Sequence, residues 1–305
     1  MTNATLNTTP RFSTPTDPAA LAEARAAMPV RQLMVNPAEL TTDRWLVDDD
    51  PYFSHFLAVL SAVFPRGEDF FVESVRRHRD AVKDNPVLRA QVRAFVGQEA
   101  MHGRQHRALN ERLQTLGYPT EHADRAIGRA CDRILKLRPN TLAVAATAAA
   151  EHLTGVFAAV VLSDDRTRHL LFSQPEVEPL IAWHALEELE HKNVAFDVMT
   201  TVGVRYPTRI AGFLVTISML ATVVTQQWIA ALIGMHSELT WKQRRRFIHN
   251  LRRQRLLHPS FVIETLKYLR PGFHPDDTNT DHLVRQWRAR LINEGAIREN
   301  RSPAA

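Results

Sequence analysis

Cysteine is nearly absent from this chain, whose 305 residues include only Cys131. A single thiol cannot form an internal disulfide, and it cannot build the cysteine clusters that hold structural zinc or an iron–sulfur group. The sequence also lacks a glycine-rich phosphate loop and a Ser–His–Asp order that would predict covalent catalysis. These absences exclude several enzyme classes. They favour a reducing, cytoplasmic location, with Cys131 in a packing role.

Glycine and strand patterns are scarce as well. Only 11 glycines occur, and no run of alternating apolar and polar residues is long enough to predict a sheet. The content of 45% hydrophobic and 23% charged residues is ordinary for a globular protein. The first thirty residues lack the basic start and apolar core of a signal peptide, and their composition predicts a disordered arm over 1–30. For the remainder, the prediction is an all-α fold.

Proline and glycine positions divide the rest of the chain into helices. A turn signal at 64–67 and the stop before Pro86 predict a helix over 68–83, and others are predicted over 86–116, 121–137, 140–162 and 175–202. We expect one helical domain over 31–280, with a bundle core at 68–202, an apolar helix at 208–236 and a basic segment at 241–257. A C-terminal helix and tail are predicted over 281–305.

Two Glu-x-x-His motifs lie on separate predicted helices, at Glu99–His102 and Glu188–His191. This spacing places both side chains on one helix face, within reach of one metal ion. The other two helices carry Glu73 and Glu151, and each of the four carboxylates lies 11 to 13 residues from a predicted loop. At about 1.5 Å rise per residue, antiparallel helices would place all four in one layer. This order predicts a two-metal site.

Two more histidines fall on the same helix faces, one turn from a motif. His184 precedes Glu188 by four residues, and His106 follows His102 by four. We expect His184 to be a further ligand, and His106 either to ligate or to orient a ligand. The predicted metal ligands are Glu73, Glu99, His102, Glu151, His184, Glu188 and His191.

Several of these positions have alternatives. Glu73 is followed by Ser-Val-Arg-Arg-His, which also suits a solvated surface carboxylate. Glu151 lies in a very apolar helix, where a carboxylate needs a metal or a buried Arg as its partner. Glu187 competes with Glu188, because it is the i,i+4 neighbour of His191. Small residues between 147 and 158 leave room beside Glu151 for a gas or an apolar substrate.

These motifs resemble known families. The order Glu, Glu-x-x-His, Glu, Glu-x-x-His is similar to the ferritin-like di-iron carboxylate superfamily over 68–202, which implies a four-helix bundle with added N- and C-terminal helices. The stretches at 64–71, 98–102, 185–192 and 270–275 resemble the bacterial family labelled "predicted metal-dependent hydrolase", over about 30–280. The spacing of His184 to His191 is similar to that of the arylamine N-oxygenases, whose third histidine ligand lies there.

From the ligands and these resemblances we expect a di-metal enzyme. Mixed oxygen and nitrogen donors suit iron, with manganese or a mixed Mn/Fe pair as alternatives. The first expectation is an O₂-dependent oxidase or oxygenase of a small or lipid-like substrate, with an electron donor as partner. The alternative is a hydrolase that uses a bridging water, and the third is a non-catalytic metal-binding protein.

The basic charge of the chain is local. Residues 241–255 hold seven Lys or Arg and no acid, so the rest of the chain has a net charge of −2 although the whole carries +5. A nucleic-acid partner is therefore not predicted. The apolar run at 210–235 is long enough to cross a bilayer but contains Gln226 and Gln227. It is read as a core or homodimer helix, as a peripheral contact with an anionic membrane, or as a span.

Overall fold

The computed structural model describes residues 28–42, 44–137, 139–256 and 258–299. The arm predicted over 1–30 lies outside the described residues, apart from its last three positions. The helices are α1 (Pro51–Arg76), α2 (Pro86–Thr115), α3 (Thr120–Lys136), α4 (Thr141–Ser163), α5 (Asp165–Leu171), α6 (Val177–His191), α7 (Val194–Thr201), α8 (Tyr206–Gly234), α9 (Trp241–Arg253), α10 (Pro259–Leu266) and α11 (Asp281–Asn293). The strands are β1 (Arg31–Leu33) and β2 (Ile297–Glu299).

The all-α prediction is confirmed, since the described chain is helical apart from loops, turns and one short strand pair. β1 and β2 pair antiparallel, with Arg31 opposite Glu299 and Leu33 opposite Ile297. A strand of three residues is too short to show a detectable alternation of apolar and polar residues, so the sequence does not predict it. The strand pair joins the two ends of the described chain. The finer prediction of a ferritin-like bundle stays a prediction.

α4 lies at the centre of the molecule, with α6, α7 and α8 packed against it. Its alanines are almost fully buried and let neighbouring helices approach closely. One such close approach is at Gly212 of α8, where a Cβ atom would lie 2.6 Å from the carbonyl carbon of Ala145. Nearby, the hydroxyl of Thr216 donates to the Ala146 carbonyl at 2.9 Å. Glycine is therefore required at 212 for this helix crossing.

The first long helix differs from its prediction at both ends. α1 begins at Pro51, where the Asp50 carboxylate accepts a hydrogen bond from the Phe53 N–H at 3.0 Å, and it runs through Pro65. A proline inside a helix removes one backbone hydrogen bond, but apolar side chains on both sides of it, such as Val63 and Phe70, are buried and hold the helix in place. α1 then ends at Arg76, earlier than predicted.

The helix predicted over 175–202 is two helices. α6 ends at His191, and α7 begins at Val194 after a break at Lys192 and Asn193. The break comes immediately after a predicted ligand. The break is also central in the molecule, because both α6 and α7 pack against α4.

Candidate metal centre

Four helices bring carboxylates and imidazoles into one buried cluster. α1 contributes one carboxylate, α2 a carboxylate and an imidazole, α4 a carboxylate, and α6 the rest. All of these residues are at most 5% exposed. The members are Glu68, Glu99, His102, Glu151, His184, Glu187, Glu188 and His191.

Two overlapping groups within the cluster have the spacing of a metal site. Donor atoms of Glu99, His102, Glu188 and His191 lie within 4.8 Å of one another, and those of Glu68, His102 and His184 form a second such group. His102 belongs to both groups. Each group offers both oxygen and nitrogen donors to a cation.

Unpartnered polar atoms show that this set of residues fits a metal. Both carboxylate oxygens of Glu68 and of Glu99 lack a hydrogen-bond partner among the described residues, as do His102 Nδ1, Glu151 Oε1 and His191 Nε2. Buried polar groups are normally hydrogen-bonded, because an unmet donor or acceptor costs about 1–3 kcal/mol. So many orphaned acceptors in one place are expected only where a cation completes the site.

The electrostatics of the cluster lead to the same conclusion. Burial, together with the neighbouring carboxylates, raises the pKa of Glu68 and of Glu99 well above the ordinary glutamate value. Burial also raises the pKa of Glu151 to about 7. Burial lowers the pKa of His102 well below its ordinary value, which leaves a neutral ring with one lone pair. A bound cation would offset these penalties, because it favours ionised carboxylates and neutral imidazoles.

The ring of His102 is oriented by a carboxylate behind it. His102 Nε2 donates to Glu187 Oε2 at 3.0 Å, and Arg31 Nη1 holds the other oxygen of Glu187 at 3.2 Å. Arg31 is fully buried and also binds both oxygens of Glu190, at 2.6 and 2.7 Å. With Nε2 protonated, Nδ1 of His102 carries the lone pair and faces Glu99 and Glu188 at 3.9 and 3.8 Å. This is the carboxylate–histidine support that metal-binding imidazoles usually have.

A chain of hydrogen bonds sets the tautomer of His184. Asn110 Nδ2 donates to the Ser61 carbonyl, so its Oδ1 accepts from Ser61 Oγ at 2.8 Å. Ser61 Oγ then accepts from His106 Nδ1 at 2.9 Å. Burial lowers the pKa of His106 well below its ordinary value, so its unprotonated Nε2 accepts from His184 Nδ1 at 2.8 Å. The remaining nitrogen of His184, Nε2, keeps its lone pair and lies 2.8 Å from Glu188 Oε1. Two acceptors at this distance need a cation or a proton between them.

The structure brings together six of the seven predicted ligands and separates the seventh. Glu73 lies outside the cluster, because α1 ends at Arg76 and the Glu73 side chain, 47% exposed, pairs with Arg77 at 2.8 Å. Its place on α1 is taken by Glu68, whose Oε1 lies 4.0 Å from His184 Nε2. The prediction of Glu73 used a wrong helix end. A signal for Glu68 was available in the motif FPRGEDFF, which contains it.

The two remaining expectations about neighbours concern His106 and Glu187. His106 contacts His184 and not the carboxylates, as expected for a residue that orients a ligand. Glu187, which competes with Glu188 in the sequence, faces His102 and Arg31, whereas Glu188 faces His184. Both glutamates thus belong to the site, in different positions.

An apolar cavity of about 350 Å³ reaches the cluster. Its polar end is formed by His184, Glu188 and Thr154, whose hydroxyl donates to the Glu188 carboxylate. The rest of its lining is largely aliphatic and aromatic, including Phe64 and Ala158. The volume is within the range of about 300–1,000 Å³ typical of small-molecule sites. The arrangement therefore suits a substrate with an apolar body whose reacting group meets the cluster.

The comparisons with known proteins assign a family. The model of the family described as "Predicted metal-dependent hydrolase" matches residues 29–279, which contain every member of the cluster. The chain belongs to this family. Searches of the curated proteins and of the solved structures found no match to it.

Membership of the predicted metal-dependent hydrolases confirms one resemblance noted in the sequence. It suggests an enzyme, and it agrees with a buried His/Glu cluster able to bind metal. For the reaction, the family description favours hydrolysis, the alternative, over the oxidase that was expected first. The wider resemblance to the ferritin-like superfamily and to the arylamine N-oxygenases stays a prediction.

Proposed function

We propose that the protein is a two-metal hydrolase that cleaves an ester-like or amide-like bond in a substrate with a large apolar body. The observation that supports this proposal is the contact between the apolar cavity and the His/Glu cluster. One end of an apolar cavity is formed by His184 and Glu188, which belong to a buried metal-binding cluster. The family description adds the reaction class.

The residues that would hold the metals are Glu68, Glu99, His102, Glu151, His184, Glu188 and His191. When bound, divalent ions supply Lewis-acid polarisation of a carbonyl oxygen and acidify water at neutral pH. The cavity wall contains Ser61 and Cys131, but the Ser61 hydroxyl donates its proton to Asn110 and burial raises the pKa of the Cys131 thiol, so neither is an activated nucleophile. Water is the attacking group in this proposal.

The protein's own contribution is positioning and exclusion of bulk water. The aliphatic and aromatic cavity lining binds the apolar body and strengthens electrostatic interactions at the reacting end, because bulk water is excluded there. Thr154 fixes the Glu188 carboxylate through its hydroxyl. His106 and Glu187 hold the rings of His184 and His102 in single tautomers, so the metal-facing lone pairs need no reorientation.

A second candidate is the O₂-dependent oxidase or oxygenase. The observation in its favour is the donor set, because three carboxylates with three imidazoles in two overlapping groups suit iron or manganese better than four-coordinate zinc. The apolar cavity serves either chemistry. The two candidates differ in whether the reaction consumes O₂.

The experiment uses protein purified without chelators and analysed for bound metal, for which we expect two ions per chain. Hydrolysis of p-nitrophenyl esters, from acetyl to dodecanoyl, is then measured anaerobically with Zn²⁺, Mn²⁺ or Fe²⁺. A hydrolase turns over without O₂ and prefers the longer acyl chains that fill the cavity. Glu99→Gln abolishes turnover and metal binding, whereas Glu111→Gln, an exposed position on the same helix, changes neither.

Other outcomes distinguish the alternatives. Absence of ester and amide hydrolysis, together with O₂ consumption by the Fe²⁺ protein, would establish the oxidase. Bound metal with neither reaction would leave a metal-binding protein.

A further inference from the structure

One helix of this protein has an uncharged surface that the described residues leave uncovered. α8 contains no Asp, Glu, Lys or Arg from 210 to its end at Gly234. Its most apolar stretch is 28% buried, whereas the other long apolar helix, α4, is 67% buried. Leu214, Ile229 and Ile233 of α8 are 56%, 48% and 65% exposed. They lie within about 100° of one another around the helix, on one face.

A second element, α10, also exposes apolar side chains. Val262, Ile263 and Leu266 of α10 are 47%, 58% and 49% exposed. The turn that follows α10 is anchored to the start of α8, because Tyr206 Oη donates to the Leu269 carbonyl at 2.6 Å. The exposed apolar residues of α8 and α10 therefore belong to neighbouring elements.

The third element is cationic. α9 follows α8 directly and exposes Lys242, Arg244, Arg245, Arg246, Arg252 and Arg253. Its Trp241 is 67% exposed, and its Phe247 packs against Trp228 of α8, with ring centroids 5.9 Å apart. An exposed tryptophan among cations, beside an apolar face, is typical of segments that lie at a membrane surface.

The cavity lies directly behind these elements. Its wall includes Thr216, Met219 and Leu220 of α8, Phe261 of α10 and Leu256 of the segment between α9 and α10. Two of these helices, α8 and α10, together with the segment that follows α9, thus also enclose the cavity. A molecule that leaves a bilayer on this side meets the cavity wall first.

From these observations we propose that α8, α9 and α10 form a docking surface for an anionic lipid bilayer, through which apolar substrate reaches the cavity. The alternative occupant is a second copy of the chain. Charge decides between them, because a two-fold pairing of this surface would bring two copies of α9, which has no acid, towards each other. Anionic headgroups neutralise the same charges. Only the delivery of substrate rests on the proposed function.

The test is co-sedimentation of the full chain with vesicles of phosphatidylcholine alone or with added phosphatidylglycerol, without substrate. We expect binding to the anionic vesicles. A triple variant with Arg244→Gln, Arg245→Gln and Arg246→Gln should bind about 100-fold more weakly, since each cation near such a surface contributes about fivefold to the affinity. A variant with Ile229→Ser and Ile233→Ser should also bind more weakly, and at high salt it should lose the binding that the wild type retains.

The matched control replaces three exposed arginines on α2, by Arg89→Gln, Arg93→Gln and Arg104→Gln, and should bind like the wild type. Failure of the wild type to bind anionic vesicles would overturn the proposal, as would equal losses in the two arginine triples. A third outcome is that the protein forms a dimer in sedimentation equilibrium, that the variant with Ile229→Ser and Ile233→Ser is a monomer, and that neither binds vesicles. This outcome would show that the surface binds a second copy of the chain. Because no turnover is measured, absence of hydrolase activity leaves the result interpretable.

Discussion

Metal-free protein should lose stability as the pH rises from 7 to 9, and metal should abolish that loss. Burial by itself would lower the pKa of His191, but Glu151, Glu188 and Glu187 outweigh it and raise the pKa to about 9. An imidazole with a raised pKa stabilises the folded state fully below its unfolded value, near 6.5, and the contribution disappears as the pH rises through 9.

The magnitude follows from the shift. Between an unfolded pKa near 6.5 and a folded value of about 9, His191 loses about 2 kcal/mol of stabilisation between pH 7 and pH 9. The raised pKa values of Glu68 and Glu99 also make stability fall as the pH rises, because the folded state binds their protons more tightly than the unfolded state does. Buried histidines with lowered pKa values, such as His102, act in the opposite direction, but only below about pH 6.5.

The assay is guanidinium unfolding at pH 7, 8 and 9, with protein treated with chelator and protein loaded with Mn²⁺. Chelated protein should lose at least about 2 kcal/mol across this range, whereas loaded protein should change much less, because the cation keeps the carboxylates ionised. His191→Gln should remove most of the loss, and the exposed His122→Gln should leave it unchanged. A chelated protein whose stability is flat or rises between pH 7 and 9 would refute the reasoning.

Three further predictions concern the support of the site and of α8. Arg31→Met leaves two buried carboxylates unpaired, so the free energy of unfolding should fall by about 3–5 kcal/mol in denaturant titrations; a loss below about 1 kcal/mol would contradict the ion pairing. His106→Ala removes the hydrogen bond to the His184 ring and should weaken metal binding about 10–100-fold in competition with a chelating dye, with an unchanged affinity as the contrary result. Gly212→Val forces α8 away from α4 and should cost about 1–3 kcal/mol, whereas Gly234→Ala, where a Cβ meets open space, should not destabilise.

Much of the candidate site could be predicted from the sequence, because a helix converts spacing into position. Glu-x-x-His spacing alone predicts that Glu99 and His102 share a face, and that Glu188 and His191 do. The apolar surroundings of Glu151 predict its burial, since an isolated carboxylate is too costly there. These inferences need only the local geometry of one helix at a time.

The errors came from helix ends, which depend on packing. Pro65 marks a turn in the sequence, yet burial of the side chains around it carries α1 through the proline. At its other end α1 stops at Arg76 and not at 83, so the carboxylate of α1 that reaches the cluster is that of Glu68 and not that of Glu73. The pairing of β1 with β2 joins segments about 265 residues apart. It places Arg31 behind Glu187, a relation that no local pattern contains.

By itself, the sequence determined the all-α class, the two Glu-x-x-His motifs and the existence of a basic patch next to an apolar helix. These follow from composition and from the 3.6-residue period, both of which are properties of short segments. Only the tertiary structure decided which glutamate of α1 faces the cluster and which nitrogen of His184 carries the lone pair. It also decided that one side of α8 lines the cavity, while the described residues leave its uncharged face exposed. The physical reason is that burial, hydrogen-bond partners and cavities arise from contacts between segments distant in the chain.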